Sequence, residues 1–457
     1  MLKKNASLSS ASSAAALAAA LRKYWRPQLL LESARRPLLA PLDGLAGVVP
    51  HPWGLLALLL RSPSRLLDGL TSAHHRYLDR VTATVTQNPV LFPNGFFCDG
   101  WGDINTPKRV QELLQSNRMS EVNELRPGDL VWTKKQVLKR ARVCVQEGTF
   151  LSTLPNAKEF LPTASLEAYC ELVTPMDWEN ADNEAPASGS KERPLVVLLP
   201  GTGEHGFLHR RTSIAIPLAR QGVATLILEG PFYGRRKPEE QKGSKLRRVS
   251  DLPILGQATI EEAKSLLMYF QKQHGYSHLV VAGSSMGGLH AAMVASVFPG
   301  HVGATAWLAP PSAVPVFADG LLSASCNWSS LYKQHELQLL DKMMLGHGIA
   351  SSNADDHFVD EDPVQQAKKR MRLFLSITDI DNFHPPKRAD AVVFVVGTED
   401  EYIGVTEPQW ERMREKWKPA RFRYLKTGHV SGILLEQETF RNTILEVIEM
   451  LQKQDKA

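Results

Sequence analysis

The chain runs to 457 residues and 50.7 kDa, enough to bury a large core. Hydrophobic residues at 43% and charged residues at 22% are ordinary for a soluble globular protein; they exclude a disordered chain, a fibre and a multi-span membrane protein. Net charge is +5, but residues 1–70 hold nine of the 53 Lys and Arg against three of the 48 Asp and Glu, so the other 44 basic residues face 45 acidic ones. A nucleic-acid-binding domain carries its basic surplus on its main body. None remains there, and no nucleic-acid partner is expected.

The first 31 residues contain no acid but include Lys3, Lys4, Arg22, Lys23 and Arg26 among Ser and Ala. That composition predicts a transit peptide over residues 1–30, mitochondrial in address, with plastid or cytosol as alternatives. A weak secretory signal and an unstructured tail are the competing readings of the same stretch. Residues 29–70 are Leu-rich with scattered Arg and Pro, the pattern of short amphipathic helices on the domain or a membrane surface. Their longest apolar run, residues 54–60, is too short to cross a bilayer. Residues 31–120 therefore read as a helical N-terminal extension, with any membrane contact peripheral. Cys98, Cys144, Cys170 and Cys326 are far apart, with no C-x-x-C pair and no His at metal spacing. Neither a disulfide framework nor a metal site is expected, nor any cofactor.

From about residue 140 the pattern changes. Residues 142–151 and 167–173 read as strands, and the acidic stretch 177–190 as a surface loop. Apolar strand runs then alternate with helical patterns, as in a parallel sheet wrapped by helices. Residues 195–199 are apolar throughout, as in a strand buried on both faces. Residues 213–221 read as a helix despite Pro217, and 223–228 as the next strand. Thr259 and Glu262 have capping-box spacing and predict a helix start there, with its end at Gly275. A strand over 279–282 and a helix over 289–298 follow.

Between them stands Gly283-Ser284-Ser285-Met286-Gly287, a G-x-S-x-G pattern. A sharp strand-to-helix turn accepts only small residues two before and two after its serine, and Gly283 and Gly287 fill both places. Ser285 is the candidate nucleophile. A hydroxyl needs a base to take its proton and a third group to hold that base. After Ser285, the strand 392–396 leads into Gly397-Thr398-Glu399-Asp400, offering Asp400 as the acid, with Glu399, Glu401, Asp379 and Asp381 as alternatives. The strand 421–425 then delivers Gly428-His429, with His429 expected on a loop before a helix. The oxyanion donors are expected to be the backbone N–H of Met286 and one from Pro200-Gly201-Thr202-Gly203-Glu204-His205, most simply Thr202. That loop lacks the G-K-[ST] end of a P-loop. His205 and His290 read as packing or substrate contacts rather than as the base. Arg210 and Arg211, with Arg235, Arg236 and Lys237, follow strand ends where ligands bind in open sheets. They read either as solvated loop charge or as a grip on an anionic group such as phosphate.

The runs Pro200–His205, Glu229-Gly-Pro-Phe-Tyr-Gly-Arg-Arg-Lys-Pro238 and Gly283–Gly288, with Gly397–Tyr402 and Gly428-His429, resemble those of the α/β-hydrolase domain-containing protein 18 family. The resemblance covers about residue 120 onward. It implies an α/β-hydrolase fold, with a mostly parallel central sheet and helices on both faces. Carried over by position, it implies Ser285 as nucleophile, Asp400 as acid and His429 as base. It also implies a mitochondrial setting and phospholipid deacylation, with cardiolipin as the suggested substrate. The expectation is thus a serine hydrolase domain over 121–457, with a helical lid over about 312–386 and a lipid or other ester as substrate. An acyltransferase using the same triad, or a non-catalytic lipid-binding or scaffold protein, are the alternatives.

Overall fold

The computed structural model describes residues 72–88, 94–178, 192–333, 337–338, 340–342, 362–404 and 406–454. The expected targeting segment, the Leu-rich stretch 29–70 and all but the start of the acidic loop lie outside the described residues.

One sheet organises the domain. Its nine strands are β1 (Val131–Leu138), β2 (Val143–Leu151), β3 (Glu167–Pro175), β4 (Pro194–Leu199), β5 (Ala224–Leu228), β6 (Ser277–Ser284), β7 (Gly303–Trp307), β8 (Val392–Gly397) and β9 (Arg421–Leu425). They lie in the order β1-β2-β3-β5-β4-β6-β7-β8-β9. The first three are antiparallel to their neighbours, and the six from β5 to β9 run parallel. β4, β5, β7 and β8 are buried at every position, as their largely apolar sequences require.

Period-two alternation sends successive side chains to opposite faces. Leu195, Val197 and Leu199 join Val281 and Ala304 in one core, with Leu267 of helix α3 (Asp251–His274) and Met293 of α4 (Met286–Val297). Val196 and Leu198 join the opposite core, against Leu218 and Val447, the latter on the C-terminal helix Gln437–Gln454. The sheet therefore carries helices on both sides. β4 and β6 are neighbours, yet the chain leaves β4 toward β5 on one side and β6 toward β7 on the other. The crevice outside their carboxyl ends is where this class of sheet binds ligands. A third apolar cluster, including Phe96, Phe97, Trp101, Phe317 and Phe374, packs the segments above that crevice.

Three expectations change. Helix α3 begins at Asp251, not at Thr259, and both supposed capping residues are buried inside it. Thr259 Oγ1 donates back to the Leu255 carbonyl at 2.8 Å, and the Glu262 carboxylate binds Arg236. Pro253 lies in the first turn, where its missing N–H leaves no bond unmade. The helix expected over 213–221 starts earlier, at Leu208, and passes through a π turn over Arg211–Ala215 before Ile216–Ala219. The turn widens the helix just where Pro217 removes a donor. β1 was not foreseen. It is an exposed edge strand whose Lys134 and Lys135 hide the alternation that marks its neighbours.

Candidate active site

Ser285 sits between β6 and α4 with φ +55° and ψ −123°, a conformation an L-residue adopts only under constraint. The constraint is crowding. A Cβ on Gly283 would lie 2.4 Å from the Gly287 carbonyl carbon, and one on Gly287 would lie 2.6 Å from the Leu199 oxygen. Only glycine fits at both places, which lets β6, the turn and α4 close on one another beside β4.

Asp400 and His429 arrive from the next parallel strands. Asp400 lies just past β8; its Oδ1 accepts the amides of Tyr402 at 3.0 Å and Ile403 at 3.3 Å. Its Oδ2 is 2.6 Å from His429 Nδ1, and His429 Nε2 is 3.0 Å from Ser285 Oγ. Tyr402 stacks on the imidazole, with ring centroids 5.1 Å apart. His429 is not on a loop, as expected, but is the first residue of a helix, α5 (His429–Leu435). Burial pulls the His429 pKa down, but Asp400 beside it, with a smaller push from Asp79, raises it above the usual 6.5. The other acids are committed elsewhere. Glu399 and Glu401 pair with Arg76 and Arg80, and Asp379 caps the short turn Ile380–Asn382 that contains Asp381.

Met286 is the first residue of α4, where a helix leaves its amides without internal partners. Met286, Thr202 and Ser285 line the same cavity. The loop bearing Thr202 is braced by Glu204. Its carboxylate accepts the Gly201 amide at 3.1 Å and meets Arg210 Nε at 3.1 Å. Burial would raise the Glu204 pKa, but Arg210, His209 and the Gly201 amide bring it to about 2. His205 is a packing residue here, bonded to Ser244 Oγ and to the Gly234 amide.

The four arginines of the basic clusters are held by partners within the fold. Arg210 is buried and donates to the carbonyls of Leu198, Leu228 and Gly206. Arg211 pairs with buried Glu171 at 2.8 Å. Arg236 is fully buried, with a two-pronged contact to Glu262 at 2.6 and 2.8 Å and bonds to the carbonyls of Glu229 and Ser165. Arg235 is more exposed, but lies over Tyr169 and pairs with Glu147 and Glu229. None of the four, nor Lys237, lines the cavity at Ser285. Each of the four arginines pairs with a carboxylate of the fold.

The cavity, about 60 Å³ in volume, is walled mainly by apolar side chains such as Val110, Leu113, Met119, Leu252, Met293 and Phe317. Part of the wall comes from the segment between β7 and β8, and part from the helix Thr106–Gln115. His290 also lines it. Burial holds the His290 pKa at about 4, so its ring is neutral and cannot serve as a second cation.

A family sequence model described as alpha/beta hydrolase domain containing 18 matches residues 94–450. The chain belongs to the α/β-hydrolase domain-containing protein 18 family. Among solved structures it is similar to an acetyl xylan esterase from Paenibacillus sp. R4, at 11% identity and TM-score 0.44 over 78% of this chain and 97% of that one. It is also similar to acetyl xylan esterase 1 from Thermoanaerobacterium sp. JW/SL YS485, at 10% identity and TM-score 0.43 over 78% and 96%. A third likeness is to brefeldin A esterase, a bacterial homologue of human hormone sensitive lipase, at 13% identity and TM-score 0.37 over 81% and 93%. The family match and the sheet order establish the α/β-hydrolase fold.

Two outcomes follow from these contacts. Arg236→Leu strands Glu262 in the core and should cost about 3–5 kcal/mol in urea unfolding. Any loss of turnover should then be equal on neutral and anionic esters; a loss confined to anionic esters at unchanged stability would restore a phosphate role. Because the base must be neutral and its pKa is raised, kcat/KM should rise with pH through a midpoint above 6.5 and then level off. A midpoint below 6.5 would contradict the pairing with Asp400.

Proposed function

We propose that this protein is a serine hydrolase that deacylates a lipid ester. The observation that carries the reading is the opening of Ser285 Oγ onto an apolar-walled cavity while His429 stands 3.0 Å behind it. Ser285 Oγ attacks the ester carbonyl as His429 Nε2 takes its proton. Asp400 holds the imidazole by Nδ1 and stabilises the cation that forms. The amides of Met286 and Thr202 bind the oxyanion, aided by the positive end of α4. His429 returns the proton to the departing alkoxide, and water then repeats the sequence to release the acid. The wall supplied by residues between β7 and β8 supports their reading as a lid, and limits water at the acyl-enzyme.

An apolar lining with few polar groups suits an alkyl chain. The family resemblance points to phospholipid, with cardiolipin the specific candidate. With the arginines under the loops committed to internal acids, selection of an anionic head group falls to other surfaces, such as the basic 1–70 region and a charged bilayer. The same region carries the proposal of a mitochondrial address; a reporter fused to residues 1–70 that stayed in the cytosol would defeat it.

Ser285→Ala should lower hydrolysis of a p-nitrophenyl ester by about 10⁶-fold with the fold intact. Turnover near the wild-type level would overturn the assignment. Met293→Trp should shorten the acyl chain accepted, because each methylene left unburied forfeits about 0.8 kcal/mol. On phospholipid vesicles its kcat/KM should fall progressively with chain length, and be unchanged for acetyl and butyryl esters. A uniform effect across lengths would place the acyl chain elsewhere. Free fatty acid is the expected product; an acylated acceptor instead would make the enzyme a transferase.

A further inference from the structure

The helix α1 (Ser72–Gln87) belongs to no expected motif, yet it lies against the catalytic loops. Its buried residues are His75, Asp79, Thr82 and Ala83, one face of the helix. That face is mostly polar. A helix that buries His, Asp and Thr gains little from the hydrophobic effect, so hydrogen bonds must justify the burial.

They do so at Asp79, which has no measurable exposure. Its Oδ2 accepts the amides of His429 at 3.0 Å and Glu401 at 3.2 Å, and its Oδ1 accepts the amide of Val430 at 2.9 Å. One carboxylate thus ties the turn that carries Asp400 to the helix start that carries His429. Gly428 admits it, since a Cβ there would come within 3.0 Å of Asp79 Oδ2. Around it, His75 Nδ1 lies 2.7 Å from Ser431 Oγ, Arg76 pairs with Glu399, and Arg80 holds Glu401 at 2.5 and 2.6 Å.

We propose that Asp79 is a positioning residue for the triad: it fixes the separation of the Asp400 turn and the His429 helix, and its charge supports the imidazolium formed during catalysis. The charged and titratable groups around this cluster are His74, His75, Arg76 and Arg80 from α1, Glu399, Asp400, Glu401 and Tyr402 from the turn after β8, and Lys426 and His429 after β9, with Glu436 beyond. Burial first, and repulsion from Asp400 second, raise the Asp79 pKa to about 6. Its ionised form is therefore present in the range where the enzyme's base is neutral. An amide in its place cannot accept all three N–H groups without turning its own NH₂ against one of them. The inference rests on the proposed roles of Ser285, Asp400 and His429.

The test compares wild type, Ser285→Ala, Asp79→Asn and Asp79→Glu by steady-state kinetics on a soluble ester across pH, with thermal melts alongside. Asp79→Asn should lower kcat on the order of 10- to 100-fold, the scale of a misplacement of about 1 Å, with KM nearly unchanged because the acyl cavity is untouched. Its acid limb should also move to lower pH, since a negative charge near His429 is lost. A helix brace with no link to catalysis would lower melting temperature and leave that limb in place. An unmoved limb, or wild-type kcat, overturns the proposal. Asp79→Glu keeps the charge but displaces it, so kcat should fall with the limb held; it carries the test if the Asn variant does not fold, and wild-type kcat in it would equally overturn the proposal. Activity retained in Ser285→Ala would instead bring down the triad reading, and this inference with it. An inactive Ser285→Ala beside a fully active Asp79→Asn would bring down this inference alone.

Discussion

The whole site depends on one steric constraint, the closure of the turn between β6 and α4. Ser285 holds a positive φ because Gly283 and Gly287 bring the backbone within reach of the β4 carbonyls. Such a conformation costs on the order of 1–3 kcal/mol, which the packed strands on either side offset. In return the hydroxyl stands clear of the sheet at the crevice between β4 and β6. The Met286 amide opens the helix beside it, and the Thr202 loop lies across from it on the next strand. A single methyl at either glycine would separate these parts.

Charge is arranged on two levels around that turn. Below the loops, buried acids and arginines cancel in pairs: Arg210 with Glu204, Arg211 with Glu171, and Arg236 with Glu262. These pairs fix the loop after β4 and the turn after β5, and they leave the cavity apolar. Beside the triad the balance is different. Asp400 and Asp79 both approach His429, one through Nδ1 and one through the backbone amide. Two carboxylates around one imidazole favour its protonated form.

The buried parallel strands were readable because burial on both faces demands unbroken apolar runs, and β4 and β8 fall where those runs lie. The elbow was readable because its glycines answer to a local constraint. Asp400 and His429 were locatable for a related reason, each following a strand. What escaped the sequence depends on distant partners. Arg236 and Lys237 look alike in a basic run, yet Arg236 is sealed against Glu262, a residue 26 positions away that spacing had assigned to a helix cap. Asp79 lies 350 positions from His429, on a helix with no motif. Its one clue was a helical stripe of polar residues, which reads as a solvated face until the surrounding loops are known. β1 was hidden in the same way, because an exposed edge strand has no need of apolar alternation.

The most direct test of the central claim is covalent trapping of the nucleophile. The protein is incubated with a fluorophosphonate, and the adduct is mapped by peptide mass spectrometry, in wild type and in His429→Ala. One adduct per chain is expected, on Ser285, formed far more slowly when His429 is gone because the hydroxyl then has no base. A wild-type protein that stays unlabelled, an adduct on another residue, or labelling of Ser285 at the same rate without His429 would contradict the assignment of this serine and histidine as a catalytic pair.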